Sequence, residues 1–255
     1  MRHLRAHDYS YLIRRWRSVA RASGLRMRPF SESGGFPLHF LETARPAAGA
    51  PCIYFSAGIH GDEAAATEGL VTWAEENPLL LKSLQVLIFP CLNPWGLVNN
   101  CRLDRQGRDL NRCYGKRKAP QVRDQLRVMK NRLFDLALTL HEDYDARGIY
   151  IYEVAEQKPY WAEKLLAAAA PHVPVDTRRI IEGRAARNGI VRKKISPDMM
   201  PDWPEAFLLH FTHAARTFTV ETPSEFHIGC RVAAQVAVTG EAVSQCLAQG
   251  HAGCL

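Results

Sequence analysis

Short, almost continuously apolar runs recur along the chain and predict the strands of a buried β-sheet. Each run combines β-branched, aromatic and aliphatic residues. The runs are PLHFLETA (37–44), PCIYFSAGI (51–59), LQVLIFPCL (84–92), LALTLH (136–141), GIYIYEV (148–154) and RTFTVET (216–222). A sheet with one face in water alternates apolar and polar positions, and many of these runs do not alternate. They therefore indicate strands that are covered on both faces.

Helix-forming segments separate the predicted strands. They lie at residues 62–77, 120–131, 160–170, 204–215 and 229–249. The alternation from about residue 50 onward predicts an α/β fold, with a mixed, largely parallel, twisted sheet and helices on both faces. In open sheets of this kind, active sites form where loops leave the carboxyl ends of the strands.

The chain shows no internal repeat, no low-complexity tract and no clear linker, which predicts one domain over residues 1–255. Its most irregular stretch is ISPDMMPDWPEA (195–206), which we interpret as a loop over the active site. A domain boundary there is disfavoured. The residues that follow supply only a helix, a strand and a helix, which is too little for an independent core.

Basic residues are in excess, with 33 Lys and Arg against 26 Asp and Glu. Part of the excess lies in the basic N-terminal segment 1–30, which has the pattern of a partly amphipathic helix. Such a helix could contact an anionic partner. We favour a helix packed on the domain with its basic face in solvent. No nucleic-acid-binding motif follows the segment, so we expect no nucleic-acid partner.

The N-terminal segment also bears on location, because arginines interrupt the apolar core that a secretory signal needs. We therefore expect no export by that route. No window reaches about 18 apolar residues, the length of a membrane-spanning helix. The seven cysteines are scattered and form no C-x-x-C pair. This pattern favours a reduced, cytoplasmic protein in which several cysteines are small buried hydrophobic residues.

The first polar motif is SAGIHGDEAAATEGL (56–70), in which a predicted strand ends in a glycine-containing turn and a helix follows. The turn carries His60 and Glu63. An imidazole and a carboxylate with two residues between them can reach one cation, and both are natural zinc ligands. The alternative is a turn histidine beside a helix-capping acid, Asp62 or Glu63.

The second motif is LALTLHEDYD (136–145), where a strand-like run ends at His141. A histidine at the end of a buried strand is well placed as a third metal ligand. Glu142 or Asp143 could accept the hydrogen bond of its other ring nitrogen and so fix its tautomer. The alternative is an acidic surface turn.

The third motif, NPWGLVNNCRLDRQGRDLNRCY (93–114), combines asparagines with four arginines in one loop-like segment. Arginine binds carboxylates through its planar fork and can stabilise a developing oxyanion. Most arginine-rich loops are simply solvated. The density of asparagines and turn-forming residues around these arginines favours a loop that faces a cleft.

The fourth motif is RTFTVETPSEF (216–226), where Glu221 interrupts an apolar strand. A buried carboxylate is costly unless it is paired or used. Next to a metal site, it could take a proton from water and pass that proton to a leaving amine. Alternatively, Glu221 could point to solvent, since successive strand residues face opposite sides.

Together and in this order, the four motifs resemble the carboxypeptidase A-like zinc peptidase family. Its members carry H-x-x-E, an asparagine- and arginine-rich loop that ends in N-R, a later histidine and a glutamate on a strand. The segment RLDRQGRDLNR (102–112) and the VETP around Glu221 resemble the bacterial branch that includes murein-peptide amidases. The resemblance implies that His60, Glu63 and His141 bind one zinc ion.

The resemblance also implies roles for four further residues. Glu221 matches the general base and acid, and Arg102 matches the arginine that polarises the scissile carbonyl. Asn111 and Arg112 match the pair that holds a substrate's terminal carboxylate. The substrate would be a peptide or an acylated amino acid with a free carboxylate.

One departure concerns a tyrosine that family peptidases carry on a loop before the catalytic glutamate. Residues 196–207 contain none, which leaves the peptide-bond specificity open. One alternative is an N-acyl amino acid deacylase, similar to aspartoacylases and succinylglutamate desuccinylases, and another is a non-catalytic metal-binding relative. A second metal ion bridged by Asp62, Glu142 or Asp143 is conceivable but less favoured.

Overall fold

The computed structural model describes residues 4–46, 48–155, 158–192 and 194–249. It contains ten strands. They are β1 Leu25–Ser33, β2 Phe36–Thr43, β3 Cys52–Ala57, β4 Gln85–Phe89, β5 Leu136–Asp143, β6 Tyr150–Ala155, β7 Ile180–Ile181, β8 Arg184–Ala185, β9 Ile190–Val191 and β10 Arg216–Pro223. Eight of them form one sheet in the order β1-β2-β4-β3-β5-β10-β6-β9, and β7 and β8 form a separate hairpin.

Helices cover the sheet. The α-helices are α1 Tyr9–Ser23, α2 Ala64–Glu76, α3 Pro78–Ser83, α4 Pro94–Asn99, α5 Pro120–Met129, α6 Ala162–Ala169, α7 Glu205–Thr212 and α8 Ile228–Ala248. Short 3-10 helices lie at Leu110–Arg112 and Pro197–Met199.

The centre of the sheet is parallel. Strands β4, β3, β5 and β10 follow one another in parallel pairing, while β1, β2 and β6 join the sheet through antiparallel pairs. The carboxyl ends of β3, β5 and β10 therefore meet at one edge, where the polar motifs lie. The predicted fold class, a mixed and largely parallel sheet with helices on both faces, is confirmed.

Strand alternation divides the buried side chains into two layers. In β3, Ile53 and Phe55 belong to a core with residues of α1, α2, α6 and α8. Tyr54, between them, belongs to a second core with residues of α5 and α7. Because successive strand residues point to opposite faces, one apolar run supplies both layers.

The N-terminal segment is helical only in part. Asp8 caps α1 by accepting the Tyr11 amide hydrogen bond, and Gly24 ends the helix in the left-handed conformation. Strand β1 follows at once, inside the segment 1–30 that the sequence pattern favours as a helix. Arg15 is not a solvent-facing residue, because it forms hydrogen bonds to Glu68 and Glu75 of the α2 layer. Residues 1–3 lie outside the described residues.

The six long apolar runs and the five helical segments predicted from the sequence all correspond to observed elements. Strands β1, β7, β8 and β9 and helices α3 and α4 were not predicted. Among the described residues, no helix is both long and apolar enough to cross a membrane. Three of the six described cysteines are buried (Cys91, Cys113 and Cys246), and Cys254 lies outside the described residues.

Candidate metal centre and active site

The turn from β3 into α2 carries two of the predicted metal ligands. Its backbone approaches the start of α4 so closely that a Cβ on Gly61 would lie 1.9 Å from the carbonyl carbon of Gly96. The Gly61 amide donates to the Cys101 carbonyl oxygen at 3.1 Å. Only glycine fits this approach, which holds the turn in place. Glu63 is the N-cap residue of α2, but its side chain makes no capping hydrogen bond.

The carboxylate of Glu63 lies instead between two histidines. Its Oε1 is 2.5 Å from His60 Nδ1, and its Oε2 is 2.9 Å from His141 Nδ1. His141 lies near the carboxyl end of β5. One potential ligand atom from each residue lies within 4.8 Å of the others, and all three residues are buried. The structure therefore brings together the three predicted ligands, which are separated by up to 81 positions in the chain.

The donor set and its charge suit a divalent cation. Burial lowers the pKa of His60, but Glu63 and Asp109 together outweigh that effect and the pKa rises to about 9. Burial by itself would raise the pKa of Glu63 and lower the pKa of His141. Even so, Glu63 raises the pKa of His141, and the two histidines lower the pKa of Glu63 to about 2. The protonated, positively charged forms of His60 and His141 are thus favoured next to Glu63. A metal cation bound by these residues would replace the imidazole protons. Two imidazoles and a carboxylate form a common zinc ligand set.

Asp109 completes the surroundings of His60 and was not predicted. Its Oδ1 is 3.2 Å from His60 Nε2 and also accepts the Asn111 amide hydrogen bond at 2.9 Å. Burial raises the pKa of Asp109, but the hydrogen bond and charge of His60 lower it well below its usual range. A carboxylate at Nε2 leaves Nδ1 free of its proton for a metal. Asp109 therefore orients the His60 ring.

Glu221 lies beside His141. The parallel pairing of β10 with β5 sets Glu221 directly opposite His141, so the two side chains share a face. Glu221 lines the same cavity as the three predicted ligands. Burial raises its pKa well above the usual range, while His141 opposes the rise and Glu63 adds to it. The alternative of a solvent-facing residue at a strand edge does not describe this position.

Neither Glu142 nor Asp143 is placed as a partner of the His141 ring. Glu142 points to the opposite face of β5, where it accepts hydrogen bonds from Arg231 and from the Ala65 amide at 2.8 Å. Burial raises its pKa to about 7, against the effect of Arg231. Asp143 accepts a hydrogen bond from the Tyr150 hydroxyl at 2.9 Å. Glu142 was predicted as a possible partner of the His141 ring, and this prediction is wrong because adjacent residues of a strand point to opposite faces.

The arginine-rich segment forms another wall of the cavity. Arg102 reaches Glu63 Oε1 at 3.4 Å and Asp109 Oδ2 at 3.2 Å. Asn111 and Arg112 also line the cavity, which has a volume of about 420 Å³. Arg102 is 44% exposed, so its guanidinium group is accessible from the cavity. Arg102 and Arg112 thus line the same cavity as Glu221.

The irregular stretch 195–206 lies over this cavity. Ile195, Met200 and Pro204 line it, and α7 begins at Glu205, inside the predicted loop. The stretch itself offers no tyrosine, but Tyr144 and Tyr152 line the cavity from other elements. The Tyr152 hydroxyl donates to Glu182 at 2.5 Å.

Fold and site together define the carboxypeptidase-like class of metallohydrolases. A sequence model described as the succinylglutamate desuccinylase/aspartoacylase catalytic domain matches residues 50–186, more than half of the chain. The chain belongs to this family. The match includes His60, Glu63 and His141 and ends before Glu221. No curated protein matches the chain significantly.

Solved structures show the same fold at low sequence identity. A Shewanella amazonensis protein provisionally named a metallopeptidase has a TM-score of 0.85 and 21% identity, over 94% of each chain. A metallo-carboxypeptidase from Burkholderia cenocepacia has a TM-score of 0.71 and 15% identity, over 94% of this chain and 69% of that one. The carboxypeptidase A of Helicoverpa armigera has a TM-score of 0.65 and 13% identity, over 94% of this chain and 73% of that one.

Proposed function

We propose that the protein is a hydrolase dependent on one zinc ion, which cleaves a peptide or amide bond close to a free carboxylate. The observation that carries this proposal is the placement of Glu221 beside the buried cluster of His60, Glu63 and His141. A ligand set and a potential proton acceptor thus share one cavity, and Arg102 lines it next to Glu63.

His60, Glu63 and His141 would hold the zinc ion. When bound there, zinc would supply Lewis-acid polarisation of the substrate carbonyl and increase the acidity of a water molecule. Asp109 keeps the His60 Nδ1 directed at the cluster through its contact with Nε2. Because His60, Glu63 and His141 are buried, their charges act in a medium that screens them less than bulk water does.

Glu221 would move the proton. A carboxylate oxygen of Glu221 accepts a proton from the attacking water and later gives it to the leaving nitrogen. Its burial favours the protonated form, which suits the second of these steps. Arg102 lies next to Glu63 and would donate hydrogen bonds to the carbonyl oxygen as negative charge develops there.

Asn111 and Arg112 would bind the free carboxylate of the substrate. Both line the cavity in the same segment as Arg102. The Arg112 Nη1 donates to the Asn111 carbonyl oxygen at 2.9 Å, which leaves other guanidinium hydrogens for a ligand. A planar guanidinium and an amide suit a carboxylate better than a neutral group.

The test is hydrolysis by purified protein of a panel of short peptides, N-acyl amino acids and the corresponding carboxamides. We expect hydrolysis that requires the free carboxylate, stops with a chelator and returns with zinc. Stoichiometric zinc without hydrolysis of any amide would instead indicate a non-catalytic metal-binding relative.

The second candidate is an N-acyl amino acid deacylase. It is favoured by the family match, which names succinylglutamate desuccinylase and aspartoacylase. The bond chemistry is the same, so the same panel separates the candidates. Cleavage of N-acyl amino acids with no cleavage of peptides would select the deacylase, and the reverse would select the peptidase, which the VETP segment around Glu221 favours.

A further inference from the structure

A buried carboxylate behind the cavity wall has no role in the mechanism above. Glu205 is 1% exposed and begins helix α7. We propose that Glu205 is a positioning residue, which fixes the Asn111 side chain so that its amide hydrogens face the carboxylate of the substrate. This inference rests on the proposed function and adds a residue that determines how that carboxylate is recognised.

The orientation of Asn111 follows from a helix end. The first amide groups of a helix need acceptors from outside, and a side chain at the N-cap usually supplies one. The N-cap residue of α7 is Pro204, which makes no side-chain cap. Asn111 Oδ1 accepts the Glu205 amide hydrogen bond instead, at 2.8 Å.

That hydrogen bond shows which end of the Asn111 side-chain amide is the oxygen and which is the nitrogen. A backbone N–H can only donate, so the atom that faces it must be the oxygen. The NH₂ group therefore occupies the other end of the amide. Because Asn111 lines the cavity, this end offers hydrogen-bond donors to a bound carboxylate.

The Glu205 carboxylate anchors this arrangement to the sheet and to α5. Its Oε1 accepts hydrogen bonds from the Tyr54 hydroxyl at 2.5 Å and from Gln125 Nε2 at 2.7 Å. Its Oε2 accepts from the Ser56 hydroxyl at 2.7 Å. A buried carboxylate with its acceptors satisfied in this way resists displacement, because any shift leaves charged oxygens without donors.

The network continues into the segment that carries Asn111 and Arg112. The Tyr114 hydroxyl donates to Gln125 Oε1 at 2.7 Å, and the Tyr114 amide donates to the Trp203 carbonyl oxygen at 3.3 Å. A Cβ on Gly115 would lie 2.8 Å from the Pro201 carbonyl oxygen. The stretch before α7 and the carboxylate-binding segment are therefore held together, with Glu205 as their link to β3.

The experiment compares binding of an acid and its amide by zinc-loaded protein. The probe is the amino acid, L or D, that wild-type protein binds most tightly by calorimetry, measured against its own α-carboxamide. In Glu205→Gln, one acceptor oxygen becomes an NH₂ group that opposes the existing donors. We expect the acid-over-amide preference to fall about tenfold, with unchanged zinc content.

A rescue variant and a matched control complete the design. In Glu205→Gln/Gln125→Glu, the donor and the acceptor exchange places. The Tyr54 hydroxyl, which contacts both side chains, can turn to donate to position 125 and accept from position 205, so each contact can form again and the preference should return. This variant also tests the proposal if the single variant does not fold. The control is Glu153→Gln, because Glu153 is also buried but bonds to Arg192 and the Trp161 amide. It should keep the wild-type preference.

The outcomes separate this inference from the proposed function. If wild-type protein binds every acid no better than its amide, the carboxylate-binding assignment fails. If wild-type protein discriminates and Glu205→Gln discriminates equally well, the positioning role of Glu205 is wrong. An equal loss in Glu153→Gln would also overturn it, because the effect would then reflect general destabilisation.

Discussion

The two faces of the sheet are built from the same strands but differ in chemistry. In β5, Leu138 and Leu140 face the helices of the first core, while Thr139 and His141 point to the other side, where His141 lines the cavity and Thr139 forms a hydrogen bond to Thr219. In β10, Val220 belongs to the packed face and its neighbour Glu221 to the cavity. Strand alternation thus separates residues that stabilise the fold from residues available for chemistry.

The two faces of the sheet differ in the partners of their buried carboxylates. On the packed face, Glu142 is paired with Arg231, and Gln235 donates to the His141 carbonyl oxygen at 2.8 Å. On the cavity face, Glu63 is surrounded by titratable groups, and Glu221 has a raised pKa. On the packed face the buried carboxylate is paired with an arginine, whereas on the cavity face charged groups remain available for a metal and a proton. Substitutions on the two faces should therefore have separable effects.

The largest expected effect belongs to Glu221→Gln on the cavity face. The amide has nearly the same shape but cannot take up a proton, so kcat should fall by about 10³-fold or more. Zinc content and the melting temperature should stay close to those of the wild type. Steady-state kinetics with metal analysis on the same sample check this result, and unchanged turnover would refute the role of Glu221.

Leu138→Ala on the packed face should show the opposite pattern. Leu138 is fully buried in the first core, and the cavity left by truncation should lower the free energy of unfolding by about 2–5 kcal/mol. Because its side chain points away from the cavity, kcat per folded molecule should not change. Urea unfolding measures the first quantity. A large loss of kcat in the folded fraction would mean that the faces are not independent.

Asp109→Asn should weaken zinc binding without destabilising the packed face. A neutral amide oxygen at His60 Nε2 favours the tautomer that presents Nδ1 less strongly than a carboxylate does, and the zinc dissociation constant should rise about 10–100-fold. Competition with a chelating dye measures it. Asp145→Asn is the control, since Asp145 is exposed. Equal zinc affinity in the wild type, Asp109→Asn and Asp145→Asn would show that Asp109 does not support zinc binding.

Asn111→Asp should have the smallest of these effects. Aspartate keeps the oxygen that accepts the Glu205 amide hydrogen bond but replaces the NH₂ donor with a second oxygen. KM for substrates with a free carboxylate should rise about tenfold, with little change in thermal stability. Kinetics on an acid substrate and its carboxamide check this selectivity. A parallel rise for both substrates would contradict the assigned orientation.

The sequence predicts the central strands well because each is a compact apolar run. It does not reveal β1, whose LRMRPFSES segment is basic and contains a proline. Its pairing with β2 includes a register shift next to Pro29, so neither apolarity nor regular alternation identifies it. The two-residue strands and the six-residue helices are too short to give a periodic signal.

The predicted site residues were found through motif order, whereas their partners depend on the fold. Asp109 is 49 positions from His60, and no local pattern connects the two residues. Glu205 lies at the boundary of an irregular stretch, where its burial cannot be read from its neighbours. The position of Glu142 was within reach of sequence reasoning, because a residue adjacent to His141 in a strand must point away from it.

Anomalous X-ray diffraction on both sides of the zinc absorption edge tests the central claim most directly. The crystals should be grown from purified protein without added metal. We predict one anomalous peak per chain, between His60, Glu63 and His141, which disappears below the edge. A peak at another position, or no peak in this cluster after zinc is supplied, would contradict the account.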